Sequence, residues 1–135
     1  MDLLTTADSE IAGRLENFLT QRLTHSGLDG YIIGLSGGID SAVAVSIAVK
    51  AVGKEKIIGM IMPYIKSSAE SENDARLLSS QLGIKVEKID ISPMINAYYQ
   101  DINLINAVRA GNKMARERMS ILFDKASQYN LLVLG

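Results

Sequence analysis

Apolar residues fall into two kinds of run along the 135-residue chain, and their alternation predicts the fold. Three runs are short and almost wholly apolar: Tyr31 to Leu35, Ile57 to Met62, and Leu131 to Leu134. A fourth, Lys85 to Ile91, alternates imperfectly through Val86, Ile89 and Ile91. Strands covered on both faces read this way, because few of their positions need to meet water. Helical periods lie between them. Ile11, Leu15, Phe18, Leu19 and Leu23 recur at helical spacing from about Asp8 to Thr24, with Asp8 or Ser9 as the cap, and this amphipathic helix is expected to pack across the sheet or against a partner chain. Ser41 to Val52 has too few polar positions for an exposed face and reads as a helix packed on a sheet. Ser67-Ser68-Ala69-Glu70 predicts a capping box for a helix that turns Ala75, Leu78 and Leu82 inward and closes at Gly83. Ser92-Pro93 starts another helix, since proline suits a first turn. The chain is then irregular from Ile102 to Gly111, beyond which a strong helix runs towards Asn130 with Ala115, Met119, Leu122 and Ala126 as its inward stripe. Strand, helix and strand in this order predict right-handed crossovers and parallel neighbours. The fold class is α/β, a Rossmann-like doubly wound parallel sheet, and Pro63 to Ser68 hangs from the edge where such sheets bind ligands.

One stretch carries chemistry. Gly34-Leu35-Ser36-Gly37-Gly38-Ile39-Asp40-Ser41 joins the carboxyl end of the first strand to the amino end of a helix. Adjacent glycines let backbone N–H groups turn inward, and the helix terminus adds unsatisfied N–H groups and partial positive charge, so the loop is an anion site suited to phosphate. Neither the P-loop nor the dinucleotide fingerprint fits its spacing. Ser36 and Ser41 can donate to phosphate oxygens, whereas Asp40 would repel them unless a cation such as magnesium lay between. A plain strand-to-helix turn capped by Ser or Asp accounts for any one of these residues, but not for all of them together.

Composition narrows the classes. The chain is 47% hydrophobic and 21% charged with a formal net charge of -1, which suits one globular domain and argues against gripping nucleic acid by bulk charge. There is no cysteine, hence no disulfide, thiolate metal site or cysteine nucleophile. The single histidine, His25, sits in a helix-ending segment and reads as a surface residue. No apolar run approaches the length of a membrane span, and Met1-Asp2 opens without a basic signal region, so a cytoplasmic protein is expected.

A second stretch, Gly111-Asn112-x-x-Ala115-Arg116-x-Arg118-Met119, has more pattern than a helix requires. Asn112 and Arg116 share a helix face to one side of the apolar stripe, and a guanidinium beside an amide suits a phosphate or carboxylate. Arg116 alone is open between solvent and ligand. Arg118, on the other flank, reads as a buried structural ion pair with an acid from another helix, while Met114 and Met119 read as packing.

The Ser36 to Ser41 hexapeptide resembles the pyrophosphate loop of the N-type ATP pyrophosphatases, on an adenine nucleotide alpha hydrolase-like sheet. With the strand ending in Met62-Pro63, the Gly111 to Met119 pattern and Leu132-Val133-Leu134-Gly135, the order from Tyr31 onward resembles the NAD synthetases, either the ammonia-dependent type or the synthetase domain of the glutamine-dependent type. That resemblance implies a ligase without a covalent nucleophile. Gly34, Leu35, Ser36, Gly37, Gly38, Ile39, Asp40 and Ser41 would cradle the phosphates of ATP, Asp40 would bind Mg2+, and Arg116 would contact nicotinic acid adenine dinucleotide, with ammonia, free or glutamine-derived, as nitrogen source. Some members hold adenine with a basic or amide side chain near the second strand's end; Ile61 and Met62 stand here, leaving backbone contacts to serve. The family pattern continues past the fourth strand with a threonine that meets ATP and a glutamate that holds magnesium. The 135 residues therefore read as one synthetase domain, incomplete at its carboxyl end and truncated after the fourth strand, which alone is expected to turn over poorly. A homodimer is implied too, and the apolar surface of the first and last helices is compatible with it. Alternatives are another N-type ATP pyrophosphatase, GMP-forming or tRNA-modifying, a non-catalytic adenine-nucleotide-binding module, or a remnant that binds nothing.

Overall fold

The apolar runs become four strands, β1 (Tyr31–Gly34), β2 (Ile57–Ile61), β3 (Lys85–Lys88) and β4 (Leu132–Leu134), in the computed structural model, which describes residues 6–65 and 69–135. All pair in parallel in the order β3-β2-β1-β4, with Tyr31 opposite both Ile57 and Leu132. Five helices connect or flank them: α1 (Thr6–Ser26), α2 (Ile39–Val52), α3 (Ala69–Leu82), α4 (Ser92–Tyr98) and α5 (Ala107–Tyr129). The chain steps outward from β1 to β2 to β3, then returns through α4 and α5 to lay β4 on the other side of β1. The strand order therefore reverses between β1 and β4, and sheets of this type open a crevice at the carboxyl ends of the strands there.

Burial follows the period of two that a sheet covered on both sides demands. Ile33, Leu35, Ile57 and Ile61 join Val45, Ala48 and Ala75 in one core, under α2 and α3. Ile32, Met60 and Met62 join Ile95, Leu122 and Ala126 in the other, under α4 and α5. Pairing runs slightly past the strand ends: Leu35 N–H donates to the Met60 carbonyl, and Ile89 and Ile91 donate to Ile61 and Pro63. The two edges differ in character, β3 reading Lys-Val-Glu-Lys and β4 Leu-Val-Leu.

Several expectations need correction. Helix α1 begins at Thr6, so Asp8 and Ser9 are helical residues, with Asp8 in the first turn where a carboxylate favours the helix dipole. It packs mainly on α2, with Leu19 and Leu23 joining the core beside Tyr31 of β1. Ala12, Leu19 and Leu23 are its buried positions, while Ile11, Leu15 and Phe18 are exposed. Helix α5 starts at Ala107, ahead of Gly111, because the Asn106 side chain caps it by accepting from Val108 N–H at 2.8 Å. Its buried positions are Ala110, Leu122 and Ala126; Ala115 and Met119 of the expected inward stripe are exposed. Ser67 and Ser68 of the expected capping box lie outside the described residues. Proline does open α4 in its first turn, and His25 is exposed in the last turn of α1.

Tyr31 ties α1 to the sheet. Its buried hydroxyl donates to the Leu19 carbonyl at 2.7 Å, and burial pushes the phenol above its ordinary value. The Glu87 carboxylate, which accepts from Tyr129, pushes that phenol up as well. A raised folded value means that the unfolded chain releases these protons first, so the stability they confer is complete below about pH 10 and is lost as pH rises through the folded values. Tyr31→Phe is expected to cost about 1 kcal/mol at neutral pH and to flatten the alkaline decline. Urea unfolding of both proteins from pH 7 to 11 checks this; parallel declines would count against it.

Candidate functional site

The Gly34 to Ser41 loop is held open from within. Gly37 adopts φ +80°, and Gly38, extended at φ -86° and ψ 167°, is the residue before the first turn of α2, where no side chain caps the helix. Ser36 Oγ accepts from Gly38 N–H at 3.2 Å and lies 3.2 Å from Ser41 Oγ. Ser41 Oγ also lies 3.2 Å from the Gly38 carbonyl, to which it donates, and 3.4 Å from Ser36 N. The two hydroxyls thus brace the loop against itself. The backbone N–H groups at the start of α2 remain the natural anion donors, reinforced by the helix dipole. Asp40 is exposed in that same first turn.

Beside the loop lies a cleft of about 440 Å³ at the carboxyl ends of β1 and β2. Gly34, Leu35 and Ser36 line it from the loop, Met62 from the end of β2, Glu72 from α3, and Arg118 from α5. Gly37, Gly38, Ile39, Asp40 and Ser41 belong to the rest of the loop and are not part of this lining. The structure therefore brings the first motif and the second motif to one place.

It does so through different residues of the second motif than the spacing favoured. Arg116 is exposed and is not part of the cleft wall, whereas Ala115, Arg118, Met119 and Leu122 all line it. Those four stand at i, i+3, i+4 and i+7, a single helix face. The face was legible; its partner was not, because the amino-terminal half of the stripe meets the cleft and the carboxyl-terminal half meets the core.

Arg118 makes no ion pair among the described residues, contrary to expectation. Its Nε donates to the Met62 carbonyl at 2.9 Å, and burial pulls the half-buried guanidinium below its ordinary value. This contact fastens α5 to the end of β2, and Met62, where backbone was expected to serve adenine, already has its carbonyl engaged. Glu72 is the opposite case. Lys88 Nζ and Arg76 Nε each lie 3.0 Å from its carboxylate and hold it below the usual carboxylate range. Neither Glu72 nor its environment stood out in the sequence, since its cations come from the next turn of α3 and from β3.

Among the described residues no three His, Cys, Asp or Glu side chains gather as a metal cage. The exposed carboxylate of Asp40 at the start of α2 nevertheless fits magnesium, which commonly takes one or two protein carboxylates and completes its shell with substrate phosphates and water.

Known proteins share this construction. The profile of the NAD synthase family matches residues 11–135. The NH3-dependent NAD+ synthetase of Fusobacterium nucleatum is 43% identical over 126 residues, covering 93% of this chain and 49% of that protein. The chain spans about half the length of the curated relatives it matches. Among solved structures, NMN synthetase from Francisella tularensis superposes with a TM-score of 0.84 at 37% identity, over 94% of this chain and 53% of that one. The glutamine-dependent NAD+ synthetase from Acinetobacter baumannii, solved with adenosine diphosphate, gives 0.87 at 31% identity, over 98% of this chain and 26% of that one. With the loop, the α5 face and the sheet order all inside the matched stretch, the chain belongs to the NAD synthase family.

Proposed function

We propose that the chain binds ATP and serves the ATP-dependent amidation of nicotinic acid adenine dinucleotide to NAD. The observation that carries this reading is the convergence of Gly34 to Ser36 at the start of the loop, the end of β2 and one face of α5 on a single cleft at the carboxyl ends of β1 and β2. The substrate carboxylate attacks the α-phosphorus of ATP, the bond to the β-phosphate oxygen breaks, and pyrophosphate departs. Ammonia then attacks the acyl carbon, AMP leaves with the former carboxylate oxygen, and a proton is lost as the amide forms. The protein's share is positioning and charge stabilisation. Gly34 to Ser41 would receive the departing pyrophosphate on backbone N–H groups. Arg116, exposed on α5, would meet the dinucleotide from outside the cleft. Asp40 would hold Mg2+, which when bound offsets phosphate charge.

Exposed Ile11, Leu15 and Phe18 on α1, with Val108 and Phe123 on α5, favour a homodimer. No helix among the described residues is long and apolar enough to cross a membrane, which accords with a cytoplasmic role. The nitrogen source would be ammonia, free or delivered from glutamine.

A second reading, amidation of the acid mononucleotide, is favoured by the 37% identity to the NMN synthetase. Exchange of labelled pyrophosphate into ATP, run with magnesium and with each acid nucleotide in turn, tests both. Exchange that depends on the dinucleotide is expected. Dependence on the mononucleotide would replace the substrate, and ATP binding without exchange would favour a nucleotide-binding module.

A further inference from the structure

The cleft contains two charged side chains, and only one of them is answered. Glu72 is neutralised by Lys88 and Arg76, each at 3.0 Å. Among the described residues Arg118 has no carboxylate within ion-pair reach, and its one hydrogen bond is the one that Nε donates to the Met62 carbonyl. That contact fixes one corner of the guanidinium and leaves its terminal N–H groups for the cleft wall that it shares with Gly34 and Ser36. A half-buried cation without a counter-charge is costly, and a neutral amide could hold a carbonyl equally well. The guanidinium fork is matched to an oxyanion.

From this the geometry points to Arg118 as a phosphate-binding residue of the cleft, one that takes a phosphoryl oxygen of the nucleotide seated at the Ser36 to Ser41 loop. The inference rests on reading that loop as a pyrophosphate cradle. It also divides the two arginines of α5. Residues two apart on a helix point about 200° away from each other, so Arg118 serves this cleft and Arg116, exposed, does not.

The test titrates the 135-residue chain with inorganic pyrophosphate and with magnesium ATP, in the wild type, Arg118→Gln and Arg118→Lys, alongside thermal unfolding. Arg118→Gln keeps a donor for the Met62 carbonyl but loses the charge. It is expected to weaken anion binding on the order of 10- to 100-fold, with Arg118→Lys intermediate and the unfolding midpoints close to wild type. Weakening with both probes assigns the contact to the departing pyrophosphate, and weakening with ATP alone assigns it to the α-phosphate. Unchanged affinity for both probes in folded Arg118→Gln would overturn the assignment while leaving the loop's role intact. A wild type that binds neither probe would overturn both. Should the variants not fold, modification of wild-type Arg118 by phenylglyoxal, followed by peptide mass mapping, decides the matter. Pyrophosphate is expected to slow it several-fold, and an unchanged rate would sink the idea. None of these readouts depends on turnover.

Discussion

Replacing Gly37 by alanine is expected to weaken ATP binding on the order of 100-fold while leaving the fold in place. Two independent facts oppose a side chain there. The residue sits at φ +80°, where an L side chain costs about 1–2 kcal/mol. A Cβ on it would also stand 2.4 Å from the Ser71 carbonyl oxygen, which is backbone and cannot rotate out of the way. The loop must therefore move off the first turn of α3, and the N–H groups that it aims would lose their convergence. Because the loop is near the surface, the cost to stability should stay close to the backbone term. Calorimetric titration with magnesium ATP, with circular dichroism as the check on folding, measures both; affinity within threefold of wild type would mean that the loop is not the anchor.

Gly30→Ala should act on the fold instead, lowering stability by about 3 kcal/mol. Gly30 is buried at the entrance to β1, and its added Cβ would fall 2.0 Å from the Lys56 carbonyl oxygen. On its other side, the Gly30 carbonyl accepts from Leu132 N–H at 2.8 Å. The backbone is thus gripped from both sides, by the turn that leads into β2 and by β4, and relief on one side breaks pairing on the other. A midpoint drop of roughly 10 °C follows for a domain of this size. Gly13→Ala, where a Cβ meets nothing within 4 Å, is the matched control and should leave the midpoint level or slightly raised. Equal melting of all three proteins would refute the argument.

These two glycines also mark the limit of what the sequence makes legible. The Gly37-Gly38 pair announces an unusual turn because it stands between a strand and a helix with hydroxyls on either side. Gly30 announces nothing, since its constraint comes from Lys56, which approaches only when β2 has paired. The same division holds across the molecule. Parallel strands and two-sided burial could be read from Tyr31 to Leu35 and Ile57 to Met62, where local composition already encodes contact on both faces. Helix α5 shows the opposite case. Its apolar stripe was readable, but whether a stripe position meets a core or a cleft depends on how far the helix overhangs the sheet, and that is a tertiary distance. Arg118 was misjudged for the same reason, because whether an acid comes within ion-pair reach of it is decided by other elements. The start of α5 was missed more simply, for Asn106 is an ordinary cap hidden in an irregular stretch.

The unlike edges of the sheet have a practical consequence. Lysines at both ends of β3 tax any strand that tries to pair there, with charge that must be stripped of water. The β4 edge, Leu-Val-Leu, levies no such toll. The sheet is therefore insulated on one flank and adhesive on the other, and a preparation of this chain that clumps at high concentration should do so through β4.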